Sequence, residues 1–291
     1  MSDKTKPLII GIESLISWLN DCQSKVILNS ELDDFNKRIN RPALAAFGKH
    51  RWFKSKLIGI DLHELDQSLN ILLLARKRTE VKDALQFLSN IGYVLYSHSD
   101  CISRFVHHSH IRNFWRRVIT GEILEYKDIF YTVENPKQAT DSSKLLVIFS
   151  SMADPIYAAT ISGRCFTQNF KTIAKYIPED TYILRIVDIG GALTGYYCNT
   201  VYLTENQKNI QSLISMICQH CSVPKDRTVL YGGSKGATAA LLHGVLGGYN
   251  FIATDPILDD EYYIKRYNDS HFVSGVYLEP KTTLFQNVLN R

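Results

Sequence analysis

Residues 227 to 242 read Arg227-Thr228-Val229-Leu230-Tyr231-Gly232-Gly233-Ser234-Lys235-Gly236-Ala237-Thr238-Ala239-Ala240-Leu241-Leu242. Arg227 to Tyr231 has the apolar, β-favouring character of a strand buried in a sheet, and Ala237 to Leu246 that of a helix. Between them Gly232-Gly233-Ser234-Lys235-Gly236 satisfies G-x-S-x-G, the nucleophile elbow, which holds a serine out on a strained strand-to-helix turn. The glycines at 232 and 236 belong where a Cβ would strike the neighbouring strand or helix, leaving Ser234 presented by itself. The helix start supplies free N–H groups and positive dipole for a developing oxyanion, with the backbone N–H of Lys235 as first donor. A plain tight turn would produce the same glycines, so the setting has to decide. Two other glycine-loop readings fail: a P-loop needs Gly-Lys followed by Ser or Thr, and Gly190, Gly191 and Gly195 miss the G-x-G-x-x-G spacing.

Outward from the elbow the pattern alternates. Upstream, Leu145 to Phe149 and Tyr182 to Val187 are continuous apolar runs suited to strands covered on both faces. Thr204-Glu205-Asn206-Gln207 reads as a capping box ahead of an amphipathic helix carrying Ile210, Leu213, Ile214 and Ile217. Downstream, Phe251 to Thr254 is a fourth strand. This order predicts an α/β fold: a mainly parallel sheet with right-handed crossovers, helices on both faces, and ligand chemistry at the carboxyl ends of the strands. Glu134 to Lys144 (ENPKQATDSSK) is the clearest loop. The chain before it is a mixed α/β region: Ile12 to Leu19 and Val81 to Leu88 have helical spacing, while Leu69 to Ala75 and Tyr93 to Tyr96 read as short strands. Two units are expected, a basic N-terminal region over 1–118 and the sheet domain over 119–291.

Composition agrees with a globular chain. It has 291 residues, 33 Lys plus Arg against 29 Asp plus Glu, a net charge of +4, and 45% hydrophobic side chains, which excludes disorder. The basic excess lies in front, since residues 1–118 hold 18 Lys/Arg and 12 Asp/Glu. No apolar run reaches the roughly 20 residues of a membrane span, and Met1 to Gly11 does not read as a signal peptide. Overall charge is too modest for nucleic acid to be the expected partner. Of the six cysteines only Cys218 and Cys221 form C-x-x-C. Their place on a helix face, with no second ligand pair, argues against a metal and for a reducing compartment. Neither a metal nor another cofactor is expected.

The serine needs partners. A second oxyanion donor is expected from the loop after the Leu145–Phe149 strand, through the N–H of Ser151 or Met152. Chain order in elbow enzymes runs serine, acid, histidine, and His271 is the histidine beyond the elbow helix; His243, inside that helix, reads as packed or surface. Asp255 ends the fourth strand and is the favoured acid, with Asp259, Asp260 and Asp269 competing. His107, His108 and His110 look metal-like, but adjacent side chains diverge and no carboxylates accompany them. Arg112, Arg116 and Arg117 share one expected helix, either as a solvated face or as a substrate-binding patch for an acidic polymer.

Leu145-Leu146-Val147-Ile148-Phe149-Ser150-Ser151-Met152, Leu184-Arg185-Ile186-Val187-Asp188 with Gly195-Tyr196-Tyr197, and above all Tyr231-Gly232-Gly233-Ser234-Lys235-Gly236-Ala237-Thr238-Ala239-Ala240-Leu241 resemble the capsular polysaccharide biosynthesis proteins of the XcbB/CpsF type. More distantly they are similar to the accessory Sec system glycan O-acetylation factor. The resemblance covers residues 120 to 260 and implies an α/β-hydrolase-like domain with Ser234 as the elbow serine. It also implies a role in making a bacterial surface polysaccharide on the cytoplasmic side, at the inner face of the membrane. The partners it implies are the polysaccharide or its lipid-linked precursor, and capsule-assembly proteins. It does not assign the acid or the histidine.

Overall fold

The computed structural model describes residues 8–27, 55–267 and 271–290. Two sheets organise them. The first has the order β1-β2-β4-β3, from β1 (Leu8–Gly11), β2 (Leu57–Asp61), β3 (Tyr93–Ser99) and β4 (Ile102–His107). β1 runs parallel to β2, and the other neighbours are antiparallel. Helices α1 (Ile12–Ile27), α2 (Ile71–Lys77) and α3 (Thr79–Asn90) share its core, in which Ile12, Leu15, Ile58, Ile60, Leu72, Val81, Leu85 and Leu88 are all buried.

Within residues 69–75, read above as a strand, Ile71 to Ala75 belong instead to α2 and Asn70 caps it. A short unbroken apolar run has no period of its own, and the Asn70 side chain decides the matter by accepting the N–H groups of Leu72 and Leu73 at 3.0 and 3.2 Å. The single helix expected for Arg112, Arg116 and Arg117 is also corrected. It is two short ones, α4 (Ile111–Phe114) and α5 (Arg116–Ile119), broken where Trp115 adopts an extended backbone and turns inward onto Phe130.

The second sheet contains β5 (Leu124–Tyr126), β6 (Ile129–Glu134), β7 (Lys144–Phe149), β8 (Thr181–Ile186), β9 (Thr228–Gly233) and β10 (Asn250–Thr254), in the order β10-β9-β7-β8-β6-β5. The four strands β10, β9, β7 and β8 are parallel, and β6 and β5 are antiparallel additions. From β7 the chain crosses to β8 on one side and then returns to β9 on the other. The crevice beyond the carboxyl ends of these strands is therefore a topological switch point, where ligand sites of open α/β sheets form. With the elbow following β9, this is an α/β-hydrolase-like fold.

The two faces are covered differently. Leu145, Val147, Phe149, Ile129 and Tyr131 face a core formed with α7 (Asn206–His220) and α8 (Lys235–Gly247), through Ile210, Leu213, Ile214, Ile217, Ala239 and Ala240. Phe130, pointing the other way, packs in a second core. There Ile161, Cys165 and Phe166, of and beside the five-residue α6 (Ile161–Cys165), meet Leu57, Val94 and Val106 of the first sheet. Helical cover on that face is thus slight, and the first sheet completes it. The expected capping box is not formed either: α7 begins at Asn206, and Gln207 N–H donates to Asn199 Oδ1 at 2.9 Å. After β10 the chain continues as α9 (Glu261–Tyr267) and α10 (Lys281–Leu289). Among the described residues no helix is long and apolar enough to cross a membrane.

Candidate active site

Ser234 stands between β9 and α8 with φ +53° and ψ −121°, the angles of the first central residue of a type II′ turn, a position that favours glycine. Its N–H donates to Thr254 O of β10 at 2.9 Å. The flanking glycines are required by space. A Cβ on Gly232 would come within 2.2 Å of the Gly236 carbonyl, and one on Gly236 within 2.2 Å of Phe149 O on β7. Gly233 has open space around it. The Ser234 hydroxyl makes no hydrogen bond among the described residues.

The loop after β7 reaches the same edge. Ser150 N–H donates to the Tyr197 hydroxyl at 2.8 Å, and Ser151 N–H donates to Asn169 Oδ1 at 2.8 Å. The Ser151 amide, one of the two expected oxyanion donors, is therefore already engaged. The amides of Met152 and Lys235 have no hydrogen-bond acceptor among the described residues.

The expected triad partners occupy distinct surroundings. His271 is buried, with Nδ1 3.3 Å from the Tyr196 hydroxyl and its ring centroid 4.6 Å from that of Tyr263. Asp255, the favoured acid, is exposed at φ +58° on the sheet edge. Its carboxylate makes no hydrogen bond or ion pair among the described residues, so it does not orient His271. Asp259 accepts the N–H of Glu261 at the start of α9, and Asp260 lies 2.5 Å from the buried Lys281 ammonium. Asp269 lies outside the described residues. His243 is fully buried, held between Gln211 and Tyr197 O and stacked on Phe149; burial pushes it down to about 4.

Two of the three arginines are engaged in ion pairs. Arg112 lies 2.7 Å from Glu125 and 3.4 Å from Asp128, and Arg117 lies 2.5 Å from Glu122 and over the Phe166 ring. Only Arg116 of the three has no such partner among the described residues. Two of the three charges are thus compensated within the protein, and Arg116 is exposed. His107 bonds Ser109, while His108 is buried against Phe130 and Tyr202, so the histidine run closes the joint between the two sheets.

Sequence reading missed what lies under the elbow. The Lys235 ammonium is buried and donates to Asp188 Oδ2 at 2.8 Å. Asp188, just past β8, also accepts from the Thr194 hydroxyl and from the N–H groups of Gly195 and Tyr197 at 3.3 and 3.2 Å. Burial works to lower the Lys235 pKa, but the Asp188 carboxylate, helped by nearby groups, outweighs it and the net direction is upward. The amine stays a cation and is no general base. One signal was available in the sequence: a lysine in the first turn of a helix opposes the helix dipole and calls for a compensating anion.

No protein-family model matches this sequence, and no curated protein matches it. Among solved structures it is similar to the capsule O-acetyltransferase of Neisseria meningitidis serogroup A, at 18% identity over 57% of this chain and 62% of that one, with a TM-score of 0.39. It is also similar to the Glycosylation Associate Protein (Gap123) complex from Streptococcus agalactiae, at 15% identity over 56% of this chain and 30% of that one, TM-score 0.40. A third is FphF, a fluorophosphonate-binding serine hydrolase of Staphylococcus aureus, at 14% identity over 56% of this chain and 68% of that one, TM-score 0.39. The match spans about three-fifths of the length of the capsule O-acetyltransferase. These are likenesses between folds.

Proposed function

We propose that this chain is a serine-dependent acyltransferase or esterase acting on a bacterial surface polysaccharide or its lipid-linked precursor. The observation that carries the chemistry is Ser234, held in a glycine-type conformation at the switch point, with its hydroxyl and the Lys235 and Met152 amides unengaged among the described residues. In the reaction Ser234 Oγ attacks the acyl carbonyl and its proton passes to a base, for which His271 is our candidate. The carbonyl oxygen carries negative charge against the two amides. Collapse expels the donor's leaving group, protonated by the same base, and leaves an acyl-serine. A sugar hydroxyl or water then gives its proton to the base and attacks that ester, and as the acylated product leaves the base returns the proton to Ser234 Oγ. The polysaccharide setting rests on the resemblance of the elbow and its flanking strands to capsule biosynthesis proteins.

A second reading has its own observation. Ser234 makes no hydrogen bond to His271, and Asp255 faces solvent, as in a hydrolase scaffold retained to bind glycan or a partner transferase. Catalytic hydrogen bonds often tighten only with substrate bound, so reactivity decides between the two. The full chain treated with a fluorophosphonate probe is expected to acquire one covalent label, mapped by mass spectrometry to Ser234 and absent in Ser234→Ala. A wild-type chain that stays unlabelled while still binding surface polysaccharide establishes the second reading and ends the first.

A further inference from the structure

We infer that the buried Asp188–Lys235 ion pair is a positioning device that sets the elbow against the loop after β7, so that the Lys235 and Met152 amides face one oxygen. The inference rests on the serine reading above and concerns the Lys235 and Asp188 side chains, which engage each other and the residues around Tyr197.

Both side chains are almost wholly buried, at 2% and 1% exposure. A buried ion pair is a weak source of stability, because apolar replacements of similar size commonly hold a fold as well or better. This one also sets a cation at the start of α8, against the helix dipole. What the pair does have is connection. Lys235 directly follows Ser234, and its Nζ lies 5.0 Å over the Tyr197 ring. The Tyr197 hydroxyl receives the Ser150 N–H and donates to Ile186 O at the end of β8. Asp188 meanwhile holds the Tyr197 N–H. A short path of polar contacts thus joins the elbow to the loop that carries the second amide. The next residue back, Tyr196, reaches His271.

The backbone is shaped to make this path. Tyr196 and Tyr197, both completely buried, adopt φ +51° and +60°, conformations costly for aromatic residues and kept where the surroundings over-determine them. Gly190 and Gly195 pack backbone to backbone, so a Cβ on either would lie 3.2 Å from the other's Cα, closing the loop on Asp188.

The test compares full-length wild type, Lys235→Met, Asp188→Asn, the double variant Asp188→Leu/Lys235→Met, and Tyr197→Phe. Labelling rate with a fluorophosphonate and thermal midpoint are measured for each. The single charge variants are expected to lose at least tenfold in labelling rate and also to unfold earlier. The double variant should recover the midpoint but not the rate, and Tyr197→Phe should lose rate while staying folded. A double variant that recovers both shows that the pair only fills space, and overturns the inference, as does unchanged labelling in Tyr197→Phe. Wild type against Ser234→Ala reports separately on the serine reading. Should wild type be unreactive, a crystal structure of the double variant still decides: Ser234 φ near +53° and an unmoved 150–152 loop overturn the positioning role, whereas relaxation of either supports it.

Discussion

At the scale of single residues the elbow stores strain where the chemistry is expected. Ser234 occupies angles that cost a non-glycine residue roughly 1–3 kcal/mol, and three contacts enforce them: its N–H on Thr254 O, Gly232 against Gly236, and Gly236 against Phe149 O. Glycine would relieve the strain, at an entropic cost of about 0.4–1 kcal/mol from the looser unfolded chain. Ser234→Gly is therefore expected to stabilise the protein by about 1 kcal/mol while abolishing probe labelling; urea denaturation of the two proteins checks it. A variant less stable than wild type would mean that the strain in the turn is smaller than the entropic cost of glycine. Ser234, Gly232 and Gly236 were legible in the sequence because their roles are local, fixed by spacing along one turn. Asp188 and Tyr197 were not, since their meaning arises only when the loop after β8, distant in sequence, folds beneath the elbow. The Ser151 amide failed as a donor for the same reason: Asn169, 18 residues on, takes it.

Among elements, those with a period or a turn chemistry of their own were readable. The strands β7 to β10 and helices α7 and α8 lie within one to three residues of the stretches read from the sequence. α2 was not, because Ile71-Leu72-Leu73-Leu74-Ala75 suits a buried strand as well as a buried helix. Its identity depends on Asn70, whose carbonyl oxygen caps the first turn while its amide donates to Tyr157 O at 3.1 Å, tying α2 to the β7–β8 crossover. Asn70→Ala is expected to cost about 1 kcal/mol from the cap, and up to about 1 more from the second bond. Thermal and chemical denaturation measure this, and a cost below about 0.5 kcal/mol would show that packing alone holds α2. β5, β6, α6 and α10 had no reading in the sequence. β5 has only three residues, both strands are antiparallel additions to the sheet, and the two helices, of five and nine residues, are too short to show a period of their own.

Across the whole molecule two histidines make stability depend on acid. His108 sits at the junction of the two sheets and His243 beneath the elbow sheet, each pushed down to about 4 by burial. In the unfolded chain they titrate near 6.5. Between about 4 and 6.5 the unfolded state therefore binds more protons, and stability rises with pH across that window. Their contribution is complete above about 6.5 and is lost as pH falls, by about 2 kcal/mol per histidine at pH 5 and about 3 at pH 4. His108 is the more useful probe: its Nε2 is buried without a hydrogen-bond partner among the described residues, and its ring packs on Phe130 and Tyr202, so phenylalanine can take its place. His108→Phe is expected to match or exceed wild-type stability at pH 7.5 and to lose about 2 kcal/mol less than wild type on going to pH 5. Urea midpoints at the two pH values test this directly. Equal losses in both proteins would mean that His108 stays neutral in the unfolded chain or is solvated in the folded one, and that the joint between the sheets is wetter than its packing shows.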